Sequence, residues 1–211
     1  MFGITDLWTY LLGTVLIILM PGPNSLFALT MASTRGRKAG FAAAAGIVVG
    51  DFILMLAASL GVASLMKANP IAFDVIRYLG AAYLMYIGVR ALLSRPQPDT
   101  PKSNSTPQAS ENSTHKAFRS ALGISLINVK AILFFMAFFP QFVNPSYPHV
   151  WHTFAALGLI VQLVSISYLT LLILLGSSLS RRLSAKIWLK TVLNKLVGTL
   201  FVSFGLRLAL N

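Results

Sequence analysis

The chain alternates long apolar runs with short polar ones. Six runs of about 20 residues can be placed, at Leu7 to Ala32, Phe41 to Met66, Ile71 to Leu93, Ser120 to Val143, Trp151 to Gly176 and Thr191 to Leu210. A helix rising about 1.5 Å per residue needs about 20 residues to cross a hydrocarbon core of about 30 Å, so each run predicts one membrane-spanning helix. The runs are continuously apolar and lack the alternation over about ten residues that a transmembrane barrel strand shows. The pattern predicts an all-α integral membrane protein with six transmembrane helices.

The polar intervals set the organisation. Between Ser94 and His115 the text reads SRPQPDTPKSNSTPQASENSTH, rich in Pro, Ser, Thr, Asn and Gln and too poor in large apolar residues to seed a core. This predicts a transmembrane repeat over 1–93, a flexible cytoplasmic linker over 94–119 and a second transmembrane repeat over 120–211. Three spans is an odd number, so the second half must enter the membrane inverted with respect to the first. Inverted repeats are a recurring plan among secondary transporters, whose substrate site lies at the midplane where the halves meet.

Composition agrees with this and charge orients it. The 211 residues are 56% hydrophobic and 10% charged, against about 25% charged in a soluble domain. There is no cysteine, hence no disulfide framework and no thiolate metal chemistry. No basic residue precedes the first run and no small-residue cleavage site follows it, so it reads as a retained span. The net charge of +12 could suggest nucleic acid, but the placement of the cations argues against that. Thirteen of the 17 Lys and Arg residues cluster after spans one, three and five, against Lys67, Arg77 and Arg207 on the other side. By the positive-inside rule the basic loops are cytoplasmic and both termini face outside.

The remaining cation, Lys130, lies inside a span. Counted from the basic border of each helix, Asn24, Asp51, Asn128 and Lys130 all fall about 12 to 15 Å deep, near the middle of the bilayer. A charge at that depth costs about 2.5 to 3.5 kcal/mol even on the mild insertion scale. Asp51 and Lys130 should therefore face the bundle interior, near each other or near a ligand. One reading is an ion pair that only fastens the halves together.

That reading leaves the segment MPGPNSLF, residues 20–27, unexplained. Pro21 and Pro23 lack N–H groups, which deprives the carbonyls of Ile17 and Leu19 of their helical donors, while Asn24 can cap a new half-helix running from Ser25. The break at Pro21, Gly22 and Pro23 would then present free amides and a positive helix end at mid-membrane, a seat for a carboxylate. With Lys130 also available to an anion, and Asp51 and the carbonyls of the broken turn to a cation, a small zwitterion suits the plane. Removal from water penalises a charged carboxylate, which makes Asp51 the candidate for proton coupling as well.

Other residues add less. Gly46 and Gly50 form a small-xxx-small pattern that lets helices approach closely. Gln162 and Ser165, with Ser167, sit near the middle of span five, where they could line the path or serve as ordinary interhelical hydrogen-bond partners. His149 and His152 lie in an outer loop without an acidic neighbour and are not read as metal ligands; no metal or cofactor is expected. Trp8, Tyr10, Tyr147 and Trp151 are placed to anchor the outer interface.

The segments PGPN in span one, GIVVGD in span two, IRYLGAAYLMYIG in span three and INVKAILFFMAFFPQF in span four resemble the signature segments of the LysE/RhtB superfamily of bacterial amino-acid exporters. The likeness covers nearly the whole chain and is nearest to the leucine-exporter branch. It implies a six-helix protein of the bacterial inner membrane that expels amino acids at the expense of the proton gradient. Family members carry Asn-Pro-Lys in span four, where this chain reads Asn128, Val129, Lys130, so a second proline-made break is not carried over.

These readings converge on a secondary-active exporter of neutral amino acids such as leucine, a proton antiporter working by alternating access, with Asn24, Asp51, Asn128 and Lys130 binding the substrate. Its expected partners are a small zwitterionic amino acid, the proton and the lipid bilayer, with a homodimer left open and no nucleic acid. The alternatives are a passive pore, although rings of charge are not evident, and a cation exporter, although a lone Asp51 offers few oxygen ligands. A membrane-embedded enzyme would need a cluster of ionisable groups that the spans lack.

Overall fold

The computed structural model describes residues 3–68, 113–144 and 146–175, together with scattered helical positions between 71 and 93 and between 192 and 206. The spans expected over 71–93 and 191–210 lie largely outside the described residues, as does the flexible linker expected over 94–119 as far as residue 112; its last stretch, 113–119, is helical and not a flexible linker. Among the described residues the chain is helical, without named strands; Ile4 and Val143 form an isolated antiparallel bridge. The helices are α1 (Leu7–Leu19), α2 (Pro23–Arg35), α3 (Arg37–Ala68), α4 (Ser113–Leu126), α5 (Val129–Leu133) and α6 (Val150–Leu175). A π-helical turn, Phe134–Phe138, and a 3-10 turn, Phe139–Phe142, continue α5.

Two of these elements are long and apolar enough to cross a membrane unbroken, over Arg37–Gly61 and Val150–Leu175. Two more candidates are bent pairs: α1 with α2, at 49°, and α4 with α5 and its continuation, at 53°. Up to four of the six expected spans are thus accounted for by length and composition.

The first bend has the expected cause, but its cap differs from expectation. With the amides of Pro21 and Pro23 missing, the backbone turns extended at Met20 (ψ 116°) and Gly22 (φ −143°, ψ −178°). Pro23 occupies the first position of α2, where a helix needs no N–H. The N-cap is Gly22 and not Asn24; the Ser25 hydroxyl accepts from the Gly22 amide at 2.9 Å and donates to the Gly22 carbonyl at 3.0 Å. Asn24 is thereby left free to point elsewhere.

The second bend forms without a proline. Asn128 takes an extended backbone (φ −71°, ψ 101°), and its side-chain oxygen accepts from the Lys130 amide at 3.1 Å, capping α5. Val129 is the first residue of that helix. Proline is tolerated at such a position because its N–H would be unused there, so valine can replace it without restoring a continuous helix.

The helices enclose two apolar clusters on either side of a polar layer. One is aromatic: Tyr10, Phe134, Phe138, Phe139 and Phe142 pack with Phe154 and Leu157 from α6. Tyr10 and Phe138 stack at 6.0 Å, and Phe138 meets Phe142 at 4.8 Å. Tyr10 is therefore no interfacial anchor; it is fully buried and donates its hydroxyl to the Leu157 carbonyl at 2.8 Å. Trp8, by contrast, is 78% exposed. The other cluster is built from small residues, with Ala28, Ala39, Ala43, Ala117 and Ala121 around Ile47 and Leu169.

Small residues also bring α3 onto α4. A Cβ at Gly46 would run into the Phe118 carbonyl, and one at Gly50 would lie 2.6 Å from the Ser125 Cβ and 2.8 Å from its Oγ. The glycine beside Asp51 thus allows Ser125 to reach it. Gly88 and Gly198 form a similar contact, a Cβ on the first coming 2.8 Å from the carbonyl of the second.

Candidate functional site

The two bends face one cavity between the apolar clusters. Its polar lining comes from Asn24 and Ser25 on α2, Asp51 on α3, Asn128 and Lys130 at the start of α5, and Ser165 and Tyr168 on α6. Its apolar wall includes Ile17, Ile47, Phe134, Phe135, Val161 and Leu169. The volume is about 80 Å³. That is well above the about 10–15 Å³ needed to admit one water.

Asp51 is buried and Lys130 half-buried, and each bonds to a neutral group. Asp51 is 8% exposed and accepts a hydrogen bond from the Ser125 hydroxyl at 2.7 Å. Lys130 donates from Nζ to the Met20 carbonyl at 2.6 Å, across the break in the first span. The charges interact electrostatically, yet neither is held in a simple fastening pair. The Gly22 backbone lies close beneath Lys130, since a Cβ there would stand 3.5 Å from Cδ and 3.6 Å from Nζ.

Polar contacts link α2, α3, α4 and α6 at the same level. Asn24 donates from Nδ2 to the Ser125 Oγ at 3.2 Å, while its Oδ1 is buried without a partner. The Tyr168 hydroxyl comes from α6 to Ser25. The first turn of α2 borders this space through Gly22, Asn24 and Ser25, and a helix N-terminus offers unsatisfied donors and partial positive charge.

Asn24, Asp51, Asn128 and Lys130 thus all border one cavity, with Gly22 and Ser165. Pro21 and Pro23 are exposed at the bend and shape the backbone without lining the space. Gln162 turns away, donating from Nε2 to the Val48 carbonyl at 3.1 Å. Ser125, Ser25 and Tyr168 were not singled out from sequence. No sequence signal marks Ser125; its place opposite Gly50, the glycine next to Asp51, comes from the packing of α3 on α4. His149 and His152 are exposed with ring centres 5.2 Å apart, and no group of three potential metal ligands occurs among the described residues.

A second, wider hollow of about 590 Å³ opens between α2 and the start of α4, bordered by Phe27, Met31, Arg35, His115, Lys116 and Arg119. It lies at the end of the molecule where the basic residues gather.

Bent apolar helices around a cavity lined by Asp51 and Lys130 fit a membrane translocator. The LysE type translocator family matches residues 15–211, and the chain belongs to that family. It is 42% identical over 210 residues to the leucine efflux protein of Salmonella typhimurium, covering 99% of this chain and 96% of that one. The leucine efflux protein of an Enterobacter species is 38% identical over 208 residues, covering 99% and 97%. An uncharacterized membrane protein of Pseudomonas aeruginosa is 47% identical over 207 residues, covering 98% and 96%. No solved structure matches the chain.

Proposed function

We propose that this protein exports neutral amino acids, leucine and similar side chains first, from the bacterial cytoplasm in exchange for protons. The observation that carries the proposal is the meeting of Asp51 and Lys130 with two helix breaks at one buried cavity. The similarity to proteins named leucine efflux protein supports the substrate class.

In this reading the substrate carboxylate meets the open N-terminus of α2 and the hydrogens of Lys130 that Met20 does not use. The ammonium meets Asp51, through the oxygen that Ser125 leaves free, and the unpartnered Oδ1 of Asn24. The aliphatic side chain lies against Ile17, Ile47, Val161 and Leu169. The packing on either side supports alternating access: an aromatic cluster lies at one end of the cavity and a cluster of alanines at the other, toward the basic hollow. The positive-inside rule makes that basic end cytoplasmic, with both termini periplasmic and six spans in two inverted repeats.

Efflux from preloaded proteoliposomes across a panel of amino acids, with and without a pH gradient, tests the proposal. The expected result is saturable leucine efflux that a proton gradient directed inward accelerates. Non-saturating flux indifferent to the gradient would establish a passive pore, and flux of divalent cations in place of amino acids a cation exporter.

A further inference from the structure

The contacts around Asp51 form a chain with a direction. Asn24 Nδ2 donates to Ser125 Oγ at 3.2 Å, and Ser125 Oγ donates to Asp51 Oδ1 at 2.7 Å. A hydroxyl has one hydrogen, and an ionised carboxylate has none, so Asp51 in that form obliges Ser125 to donate to it and to accept from Asn24. This in turn fixes the amide: with Nδ2 committed to Ser125, Oδ1 is the buried, unpartnered atom. Ser125 is fully buried and held close to Gly50, with its hydroxyl between Asn24 and Asp51.

We propose that Ser125 couples the proton occupancy of Asp51 to the face that Asn24 turns toward the substrate's ammonium group. When Asp51 gains a proton on Oδ1, it donates to Ser125 Oγ. The Ser125 hydrogen then turns to Asn24, which must meet it with Oδ1, and the amide turns over to present Nδ2 to the cavity. One proton taken up at Asp51 thus changes two contacts at once: a carboxylate becomes a neutral carboxyl, and an amide oxygen facing the ammonium becomes an N–H facing it. Protonation ejects the ammonium more forcefully than the loss of one charge alone, which is what exchange of a proton for an amino acid requires. The other ionisable groups facing this chain are Lys130 from α5, bonded to the Met20 carbonyl, and Tyr168 from α6, beside Ser25. On α2 and α4 the groups facing it are neutral: Asn24, Ser25 and Ser125. The inference rests on the proposal that the cavity holds a zwitterion, but the switch itself exists without substrate.

The test follows the Asn24 side chain in the full-length protein in lipid nanodiscs, with asparagine labelled at Nδ2 and its NMR resonance assigned by its loss in Asn24→Ala. As pH is lowered without any amino acid present, the resonance should move in a single step in the wild type and stay fixed in Asp51→Asn and in Ser125→Ala. In a parallel measurement, the difference in apparent leucine affinity between high and low pH should shrink in Ser125→Ala by roughly tenfold, the size of one charge-assisted hydrogen bond. A wild-type resonance that never moves, or a step that survives in Ser125→Ala, overturns the proposal. If Ser125→Ala does not fold, the wild type and Asp51→Asn decide the matter alone. A protein that moves no leucine but shows the step keeps the switch and refutes only the substrate.

Discussion

Lys130 Nζ donates to the carbonyl oxygen of Met20, 2.6 Å away, and so joins the start of α5 to the last residue before the Pro-Gly-Pro break. In a continuous helix that carbonyl would accept from the amide of Asn24. The extended backbone at Met20 and Gly22 removes this donor, and inside a membrane no water replaces it. The ammonium on one broken span therefore completes the backbone of the other. In the proposed function the same cation meets the substrate carboxylate, so occupation of the site and the fit of the two breaks would be tied to one side chain.

Lys130→Met keeps the length of the side chain and removes its charge and its donors. Export should fall by at least about tenfold, through loss of a charge-assisted hydrogen bond together with the carboxylate contact. Leucine efflux from preloaded proteoliposomes measures this. Unchanged efflux would mean that Lys130 is only a fastener.

Asp51→Asn keeps the shape and the ability to accept from Ser125 while removing the group that can carry a proton. The variant should still exchange labelled for unlabelled leucine, with weaker apparent affinity, but an inward proton gradient should no longer speed net efflux. Counterflow and gradient-driven efflux measured on the same vesicles separate the two. If Asp51→Asn retains the full response to the gradient, the proton travels by another residue.

Phe138 sits at the centre of the aromatic cluster, fully buried, stacked on Tyr10 and Phe134 and pressed against Gly13. In a soluble core its truncation would cost about 3–5 kcal/mol. Here the unfolded helices stay in lipid as apolar as the core, so only the packing part is lost and Phe138→Ala should destabilise by less than that. The functional effect is the larger one expected: a passive leak of amino acid through the opened cluster, seen as efflux that continues when the gradient is collapsed.

Much of the site could be read from sequence because membrane burial makes polar residues conspicuous. Asp51, Lys130, Asn24 and Asn128 stood out against apolar text, and counting along each helix set them at one depth; all four border the cavity. Ser125 did not stand out, since a serine is cheap enough in a membrane helix to need no explanation, and its part depends on a contact between α4 and Gly50 that no spacing rule contains. The cap expected of Asn24 is lost for a related reason. An asparagine after Pro-Gly-Pro fits a cap by local rules, but the N-cap is Gly22, held by the Ser25 hydroxyl, and only the packing of α2 against α4 shows where the Asn24 amide goes. Tyr10 likewise read as an interfacial anchor by position, until the Leu157 carbonyl gave its hydroxyl a partner inside the bundle.

The second bend offers the sharpest separation of causes. The chain lacks the proline that its resemblance led one to look for, yet α4 and α5 meet at 53° because Asn128 caps α5. If the cap makes the bend, Asn128→Ala should cost about 0.5–2 kcal/mol, the usual value of a lost N-cap, and should lower export further by letting Lys130 drift from Met20. Val129→Pro should be close to neutral in both respects: Val129 is the first residue of α5, where proline's fixed φ suits the helix and its missing N–H is not needed. Thermal unfolding in detergent and leucine efflux from vesicles measure the two effects. If instead Val129→Pro changes export strongly while Asn128→Ala does not, the bend is set by the backbone at Val129 and the amide has no part in it.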